Sequence, residues 1–342
     1  MKNIIRTHTA TMKDVALRAG VSTATVSRVL ANSGKVSSHT RKKVEQASKA
    51  MGYCPSCLNR NAVNGRSLNL VTIIPDMSSP YFSKTIEGIS ATAAELNHQM
   101  VFINAAFQQN LSFQPILSSP RKADGYILTG TVHHLGIRHS LNKIVPMVIA
   151  NDLSSAIHCP AISIDNLTAA YHAVEHLIEL GHTRIACITG PDTIPLYQYR
   201  RQGFIQAMNR HGLPIEPSYL IRGDLSARSG EEALNYLMQL PVYPQAIFCL
   251  SDEMALGVLH QARQLKIDVP AKLSVIGFDD IPEASRSVPP LTTVIQPGFQ
   301  IGREALLLLV QIITGKVSSM ESKILETSLI IRKSTAKAIQ QK

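Results

Sequence analysis

The sequence predicts a mixed α/β fold in which a short run of helices precedes a longer body of parallel β-sheet. Three observations predict it. Positive charge is confined to one end, residues 12–52 carry helical spacing broken by turn signals, and from residue 67 onward short apolar runs alternate with amphipathic stretches. The 342 residues suffice for two or three domains, and 45% hydrophobic residues supply an ample core.

The formal net charge is +10, distributed unevenly. Residues 1–66 hold 12 of the 34 Lys and Arg but 2 of the 24 Asp and Glu, a net of +10. Residues 67–342 hold 22 of each and are neutral. A basic head on a neutral body points to a nucleic-acid contact at one end, the other reading being a basic disordered tail. No apolar run of 18 residues occurs, and the first 20 residues lack the apolar core of a signal peptide, so a cytoplasmic protein is expected. Five cysteines, an odd number scattered along the chain, fit a reducing compartment.

In the head, Met12, Val15, Ala16 and Ala19 fall at helical spacing. Gly20-Val21-Ser22 ends that helix, and Ser22 is a good N-cap for a second from Thr23 to Leu30. Asn32-Ser33-Gly34 marks a turn. Ser37 or Ser38 caps a third helix running to about Ala50, with Val44, Ala47 and Met51 on one face. Small residues at the crossing, Gly20 at the sharp turn and Val21, Val26 and Val29 on the inner face suit a helix-turn-helix. Thr23, Ala24, Ser27 and Arg28 then face outward. The second helix of such a motif enters the major groove, where Arg28 can grip a guanine edge with two hydrogen bonds. Residues 53–66 are a polar linker.

Eight strand-length runs follow: 70–76, 100–105, 125–130, 147–152, 161–165, 184–190, 246–252 and 273–279. Continuous apolar runs between helical patterns indicate buried parallel strands in βαβ units. Many end in Asp, Asn or Gly. Ligands bind outside the carboxyl ends of such strands, so these polar residues are candidates for a cleft, the plainer reading being that each caps the next helix.

The segments MKDVALRAGVSTATVSRVL and KVSSHTRKKVEQASKAMGY resemble the head of the lactose-repressor (LacI) family. The resemblance continues through GHTRIACITGP, SDEMALG, LSVIGFDD, PPLTTVIQP, IGREALLLL and LIIRKST. It implies a helix-turn-helix domain over 1–55, a hinge over 56–66 and an effector-binding, dimerising domain over 67–342. That last domain is expected to be two-lobed, like a periplasmic binding protein. Lobe one takes about 67–165 and 295–327, and lobe two about 166–294 and 328–342, with the chain crossing near residues 165, 294 and 327. The implied function is a sequence-specific DNA-binding transcription repressor controlled by a small ligand.

By the same resemblance, Thr23, Ala24 and Arg28 read bases. Thr11, Lys13, Ser22, Thr25, Ser37 and Thr40 meet phosphates, with Ser37 serving equally well as a helix cap. The hinge departs from the family pattern. Its minor-groove wedge, usually Leu, is Ala62, and Asn59, Arg60 and Asn61 surround it. Weak DNA kinking is expected, with the cyclic-AMP receptor protein on the same promoter as a partner that restores occupancy.

In the sensor, the resemblance places Arg200 and Asp279 where they can clamp a ribose cis-diol, and Phe82 against a base face. Tyr81 fits the ligand or the core equally. Asn151 and Ser251 end strands and can hydrogen-bond a ligand, while Asp252 is expected to cap its helix. Leu225 stands where relatives carry an aromatic. The implied effector is a nucleoside such as cytidine, the alternatives being a purine- or sugar-responsive repressor or a nucleoside- or sugar-binding transport protein. The chain ends STAKAIQQK without the leucine heptad of family tetramers, so a homodimer is expected.

Other signals were set aside. Cys54 and Cys57 form a CxxC inside the polar linker with no second pair to complete a zinc site. His133, His134 and His139 fall in a predicted loop without clustered carboxylates or thiols. No glycine-rich phosphate loop follows the first strand, and no nucleophile elbow or zincin motif occurs, so neither enzyme activity, cofactor nor metal is expected.

Overall fold

The computed structural model describes residues 12–30, 36–50, 67–105, 123–130, 145–152, 159–316 and 322–338. The chain divides into two compact units, Met1–Arg66 and Ser67–Lys342.

The first unit contains α1 (Met12–Ala19), α2 (Thr23–Leu30) and α3 (Ser38–Ala50). Their inner faces meet in one cluster of Val15, Ala16, Ala19, Val26, Val29, Val44 and Ala47. Gly20 takes φ 66° between α1 and α2, a left-handed conformation that a side chain would resist. The three helices are those predicted, although Met51 lies outside the described residues.

The second unit holds two sheets, with strands numbered in chain order. The first contains β1 (Asn69–Ile74), β2 (Gln99–Asn104), β3 (Gly125–Thr129), β4 (Met147–Ala150), β5 (Ala161–Ile164) and, much later, β11 (Lys323–Leu325). Their spatial order is β11-β5-β4-β3-β1-β2, every neighbouring pair parallel. The second contains β6 (Ile185–Thr189), β7 (Leu220–Arg222), β8 (Ala246–Cys249), β9 (Ser274–Asp279), β10 (Thr292–Ile295) and β12 (Ser328–Ile330). Its order is β12-β10-β9-β8-β6-β7, with only the β12–β10 pair antiparallel.

The helices are α4 (Ser83–Glu95), α5 (Asn166–Glu179), α6 (Pro195–Arg210), α7 (Ala227–Leu237), α8 (Asp252–Gln264), α9 (Pro282–Arg286) and α10 (Gly298–Ile313). In lobe one, α10 crosses α4 so closely that a Cβ on Gly88 would lie 2.0 Å from the Phe299 carbonyl oxygen. In lobe two, α5 packs on α6 and α7 on α8. The chain passes between sheets after β5, after β10 and between β11 and β12.

All eight predicted runs form strands. β3, β4, β5, β6 and β8 are buried at every position, which is why they read as unbroken apolar stretches. β7, β10, β11 and β12 escaped prediction. Three of them are three-residue edge strands with exposed or half-exposed side chains, too short for a period. β10 begins with two Thr, so only its last two residues are aliphatic. Among the described residues, no helix is long and apolar enough to cross a membrane.

Candidate functional site

In the head, Thr23, Ala24 and Arg28 are exposed on α2, and Lys13 is exposed on α1. Val26 and Val29 turn inward, so the outward face of α2 is the predicted reading face. Both later helices begin on the same device. The Thr25 amide donates to Ser22 Oγ at 3.2 Å, and the two hydroxyls pair at 2.9 Å. The Thr40 amide donates to Ser37 Oγ at 3.2 Å, with hydroxyls 2.8 Å apart. Ser37 is thus a helix cap, and each pair presents hydroxyls at a helix N-terminus, where oriented amides favour an anion. Thr11 and the hinge residues Asn59, Arg60 and Ala62 lie outside the described residues, as do Cys54, Cys57, His133, His134 and His139.

In the second unit, each sheet has the doubly wound order in which the second strand lies outside the first. The crevice therefore opens at the carboxyl ends of β1 and β3 on one side, and of β6 and β8 on the other. Arg200 on α6 is 1% exposed. Its Nε donates to Asn166 Oδ1 at 2.9 Å, and one terminal nitrogen donates to the Leu250 carbonyl at 2.6 Å and to Asp279 Oδ1 at 3.2 Å. The guanidinium carbon lies 3.6 Å from the Phe278 ring centroid and 5.3 Å from that of Tyr197. A cation this deep is tolerable because acceptors and aromatic faces replace its water.

Asp279 ends β9 with φ 123°, and Asp280 follows at φ 56°. Gln296, just past β10, donates to Asp279 Oδ1 at 2.7 Å. Both of these bonds fall on Oδ1, which leaves Oδ2 for a ligand. Burial lifts the Asp279 carboxyl above the usual carboxylate range against the pull of Arg200. The strained turn is clamped from three sides. Asp252 Oδ2 accepts from the Ile281 amide at 3.0 Å, Arg332 pairs with Asp280 at 2.6 Å, and Gln296 holds Asp279.

Asp252 differs from expectation. Ser251 is the cap of α8, accepting from the Met254 amide at 3.3 Å. Asp252 instead turns into the core, where Oδ1 also accepts from the Thr293 hydroxyl at 2.6 Å. Adjacent Ser and Asp compete for the same cap, and the longer-range partners won.

Lobe one brings Tyr81, Asn151 and the cationic Lys84 to the same cavity, which Asp279, Asp280 and Gln296 also help to line. Asn151 follows β4 at φ 70°, and its Oδ1 accepts from the Thr85 hydroxyl at 3.1 Å. Among the described residues, Asn151 Nδ2 and the Tyr81 hydroxyl are buried without a well-aligned hydrogen-bond partner. The phenol lies near Asn151 and Gln296, and burial pushes it up to about 12. Phe82 is buried beneath, its ring edge-on to Tyr81 at 4.7 Å between centroids. Tyr81 rather than Phe82 therefore lines the cavity. Leu225, at φ 76° beyond β7, does not. Gln296 and Tyr197 escaped the sequence reading. Gln296 carried the same signal as the others, a polar residue ending an apolar run. Among the described residues, no cluster of ligating side chains suits a metal ion.

The sequence matches the lacI family of bacterial regulatory proteins over residues 11–56 and a periplasmic binding protein-like domain over residues 174–335. It is 44% identical over 331 residues to the HTH-type transcriptional repressor CytR of Escherichia coli K12, covering 95% of this chain and 96% of that one. It is 35% identical over 311 residues to the ribose operon repressor of the same organism, covering 89% and 93%. Among solved structures, a CelR–cellobiose complex superposes with TM-score 0.71 at 30% identity, covering 95% of this chain and 99% of that one. The lac repressor dimer bound to operator and the anti-inducer ONPF gives 0.70 at 27%, covering 96% and 100%. These relatives are DNA-binding regulators rather than enzymes. The capped helix-turn-helix, the paired doubly wound lobes and these similarities over nearly the whole chain place the protein in the LacI family of transcriptional repressors.

Proposed function

We propose that this repressor takes a nucleoside such as cytidine as its effector, held between the lobes. The observation that carries the proposal is the Arg200–Asp279 pair. A buried carboxylate with one oxygen anchored and the other available accepts ligand hydroxyls, and the neighbouring guanidinium donates to them, which suits a ribose cis-diol. Tyr81 and Asn151 supply unengaged polar atoms on the opposite wall for a base. Ser251, as a helix cap, is a secondary contact at most, and Phe82 acts by seating Tyr81. Leu225 favours a second reading, a sugar effector needing no further aromatic wall. Calorimetry of the full chain against cytidine, adenosine, hypoxanthine and ribose decides. Binding of ribose alone replaces the nucleoside reading.

On DNA, Thr23, Ala24 and Arg28 read bases, while Thr11, Lys13, Ser22, Thr25, Ser37 and Thr40 meet phosphates. Residues 1–55 form the reading domain, 56–66 the hinge, and 67–342 the effector-binding and dimerising domain. A cytoplasmic homodimer reads two half-sites. Asn59, Arg60 and Ala62 make a weak hinge, and the cyclic-AMP receptor protein bound alongside compensates. Arg28→Ala loses about 1–3 kcal/mol of operator discrimination in gel shifts without changing effector binding. Undiminished discrimination removes Arg28 from the reading face.

A further inference from the structure

The C-terminal segment of the sensor is bonded to the turn that carries Asp279. Arg332 lies two residues past β12 and is fixed three times. Its amide donates to the Thr292 hydroxyl at 3.0 Å, Nη1 donates to the Leu291 carbonyl at 2.7 Å, and Nη2 donates to Asp280 Oδ1 at 2.6 Å. The Arg332 and Asp280 side chains are each 17% exposed, so water and salt screen this pair far less than a surface ion pair.

The partner of Arg332 sits where the backbone is strained. Asp279 at φ 123° and Asp280 at φ 56° follow one another, and neither is the glycine that such conformations favour. Backbone of this kind persists only where surrounding bonds over-determine it. Gln296 holds the Asp279 side chain, and Asp252 holds the Ile281 amide. Arg332 is the clamp on Asp280 itself. Relaxation at Asp280 would rotate the peptide that joins it to Asp279. The Asp279 carboxylate would then swing away from Arg200, which donates to it at 3.2 Å.

We propose that Arg332 is a positioning residue for the effector, holding Asp280 in its left-handed conformation and thereby aiming the Asp279 carboxylate at the ligand. The inference rests on the reading of Arg200 and Asp279 as a ribose clamp. Because Arg332 acts through Asp279, its loss weakens a nucleoside and free ribose alike. An arginine that served the fold in general, or merely neutralised Asp280, would be indifferent to the strain at residue 280.

Calorimetry with cytidine and with ribose compares the full chain with Arg332→Ala, and with that substitution combined with Asp280→Ala or with Asp280→Gly. Both combinations remove the carboxylate left without its partner, but glycine alone also removes the strain. Arg332→Ala is expected to bind each probe that wild type binds about ten-fold more weakly, the scale of one strained residue or one ionic hydrogen bond. Adding Asp280→Ala leaves that loss in place. Adding Asp280→Gly restores affinity to within about three-fold of wild type, since glycine adopts the turn without a clamp. Wild-type affinity in Arg332→Ala overturns the proposal, and so does equal affinity of the two combined variants. Where Arg332→Ala fails to fold, the comparison of those two variants decides. Without ligand, deuterium exchange over residues 279–283 rises in Arg332→Ala and in Asp280→Ala, while that of β6 stays as in wild type. Unchanged exchange at the turn also overturns the proposal. A wild type that binds neither probe ends the clamp reading instead, and the exchange arm alone then decides the role of Arg332.

Discussion

The two lobes repeat one strand order, and their fourth strands end in the same way. β4 runs into Asn151 at φ 70° and then Asp152, while β9 runs into Asp279 at φ 123° and then Asp280. Both end residues reach the shared cavity. There the likeness stops. Asp279 is a carboxylate held by Arg200 and Gln296, whereas Asn151 is a neutral amide whose nitrogen has no well-aligned partner among the described residues. The difference teaches that equivalent positions in a duplicated fold divide the labour. Lobe two is organised before a ligand arrives, and lobe one keeps hydrogen-bonding capacity in reserve.

That division is broken most directly at Arg200. Its removal strands Asp279 and leaves the Asn166 and Leu250 acceptors without their donor. Arg200→Ala is expected to cost the sensor about 3–5 kcal/mol in denaturant unfolding, because one member of a buried ionic network is lost. Equal destabilisation by Asn151→Ala would show that the lobes carry equivalent networks.

Asp279→Asn sharpens the contrast between stability and binding. The amide oxygen can still accept from Gln296, so the fold persists, but the charged acceptor for ligand hydroxyls is gone. Nucleoside affinity falls by about 1.5–3 kcal/mol in calorimetry, with operator binding retained. Unaltered affinity removes Asp279 from the site.

The head and the strands were legible because each is governed by short-range periodicity. Val15, Ala16 and Ala19 on α1, Val26 and Val29 on α2, and Val44 and Ala47 on α3 fall at helical spacing, and fully buried strands such as Ile185–Thr189 show apolar runs. The polar residues at strand ends marked the crevice. What escaped depends on contacts between residues far apart in sequence. Nothing near Asp252 announces that its oxygens bind Ile281 and Thr293, 29 and 41 residues away. Likewise, nothing local says that Tyr81 rather than its neighbour Phe82 lines the cavity.

Asp252, in lobe two, supplies the next test. Burial raises its carboxyl well above the usual range, despite the two hydrogen bonds it accepts. A carboxyl raised in the fold stabilises fully below its unfolded value, and that stability is lost as pH rises through the folded value. Asp252→Asn cannot ionise. Its unfolding free energy relative to wild type therefore climbs by about 1–2 kcal/mol between roughly pH 5 and 8. Parallel pH curves would mean that Asp252 is ionised throughout.

The smallest effect is expected in lobe one, at Tyr81. Its buried hydroxyl has no well-aligned hydrogen-bond partner among the described residues, although Asn151 and Gln296 lie close to it, so the fold already bears much of the cost of desolvating it. Tyr81→Phe removes that oxygen and leaves the ring against Phe82. Stability should rise, by up to about 1 kcal/mol, since an unsatisfied buried polar group costs roughly 1–3 kcal/mol and part of that is relieved by nearby Asn151 and Gln296. Nucleoside binding should weaken by a similar amount, because the hydroxyl is satisfied only when a ligand meets it. Opposite signs in thermal unfolding and calorimetry are what hydrogen-bonding capacity in reserve requires. The substitution at Asp279 supplies the contrast, since there a group already engaged in the unliganded protein is lost. Should Tyr81→Phe lower both stability and affinity, its hydroxyl is engaged before the ligand arrives, and the two lobes are organised alike.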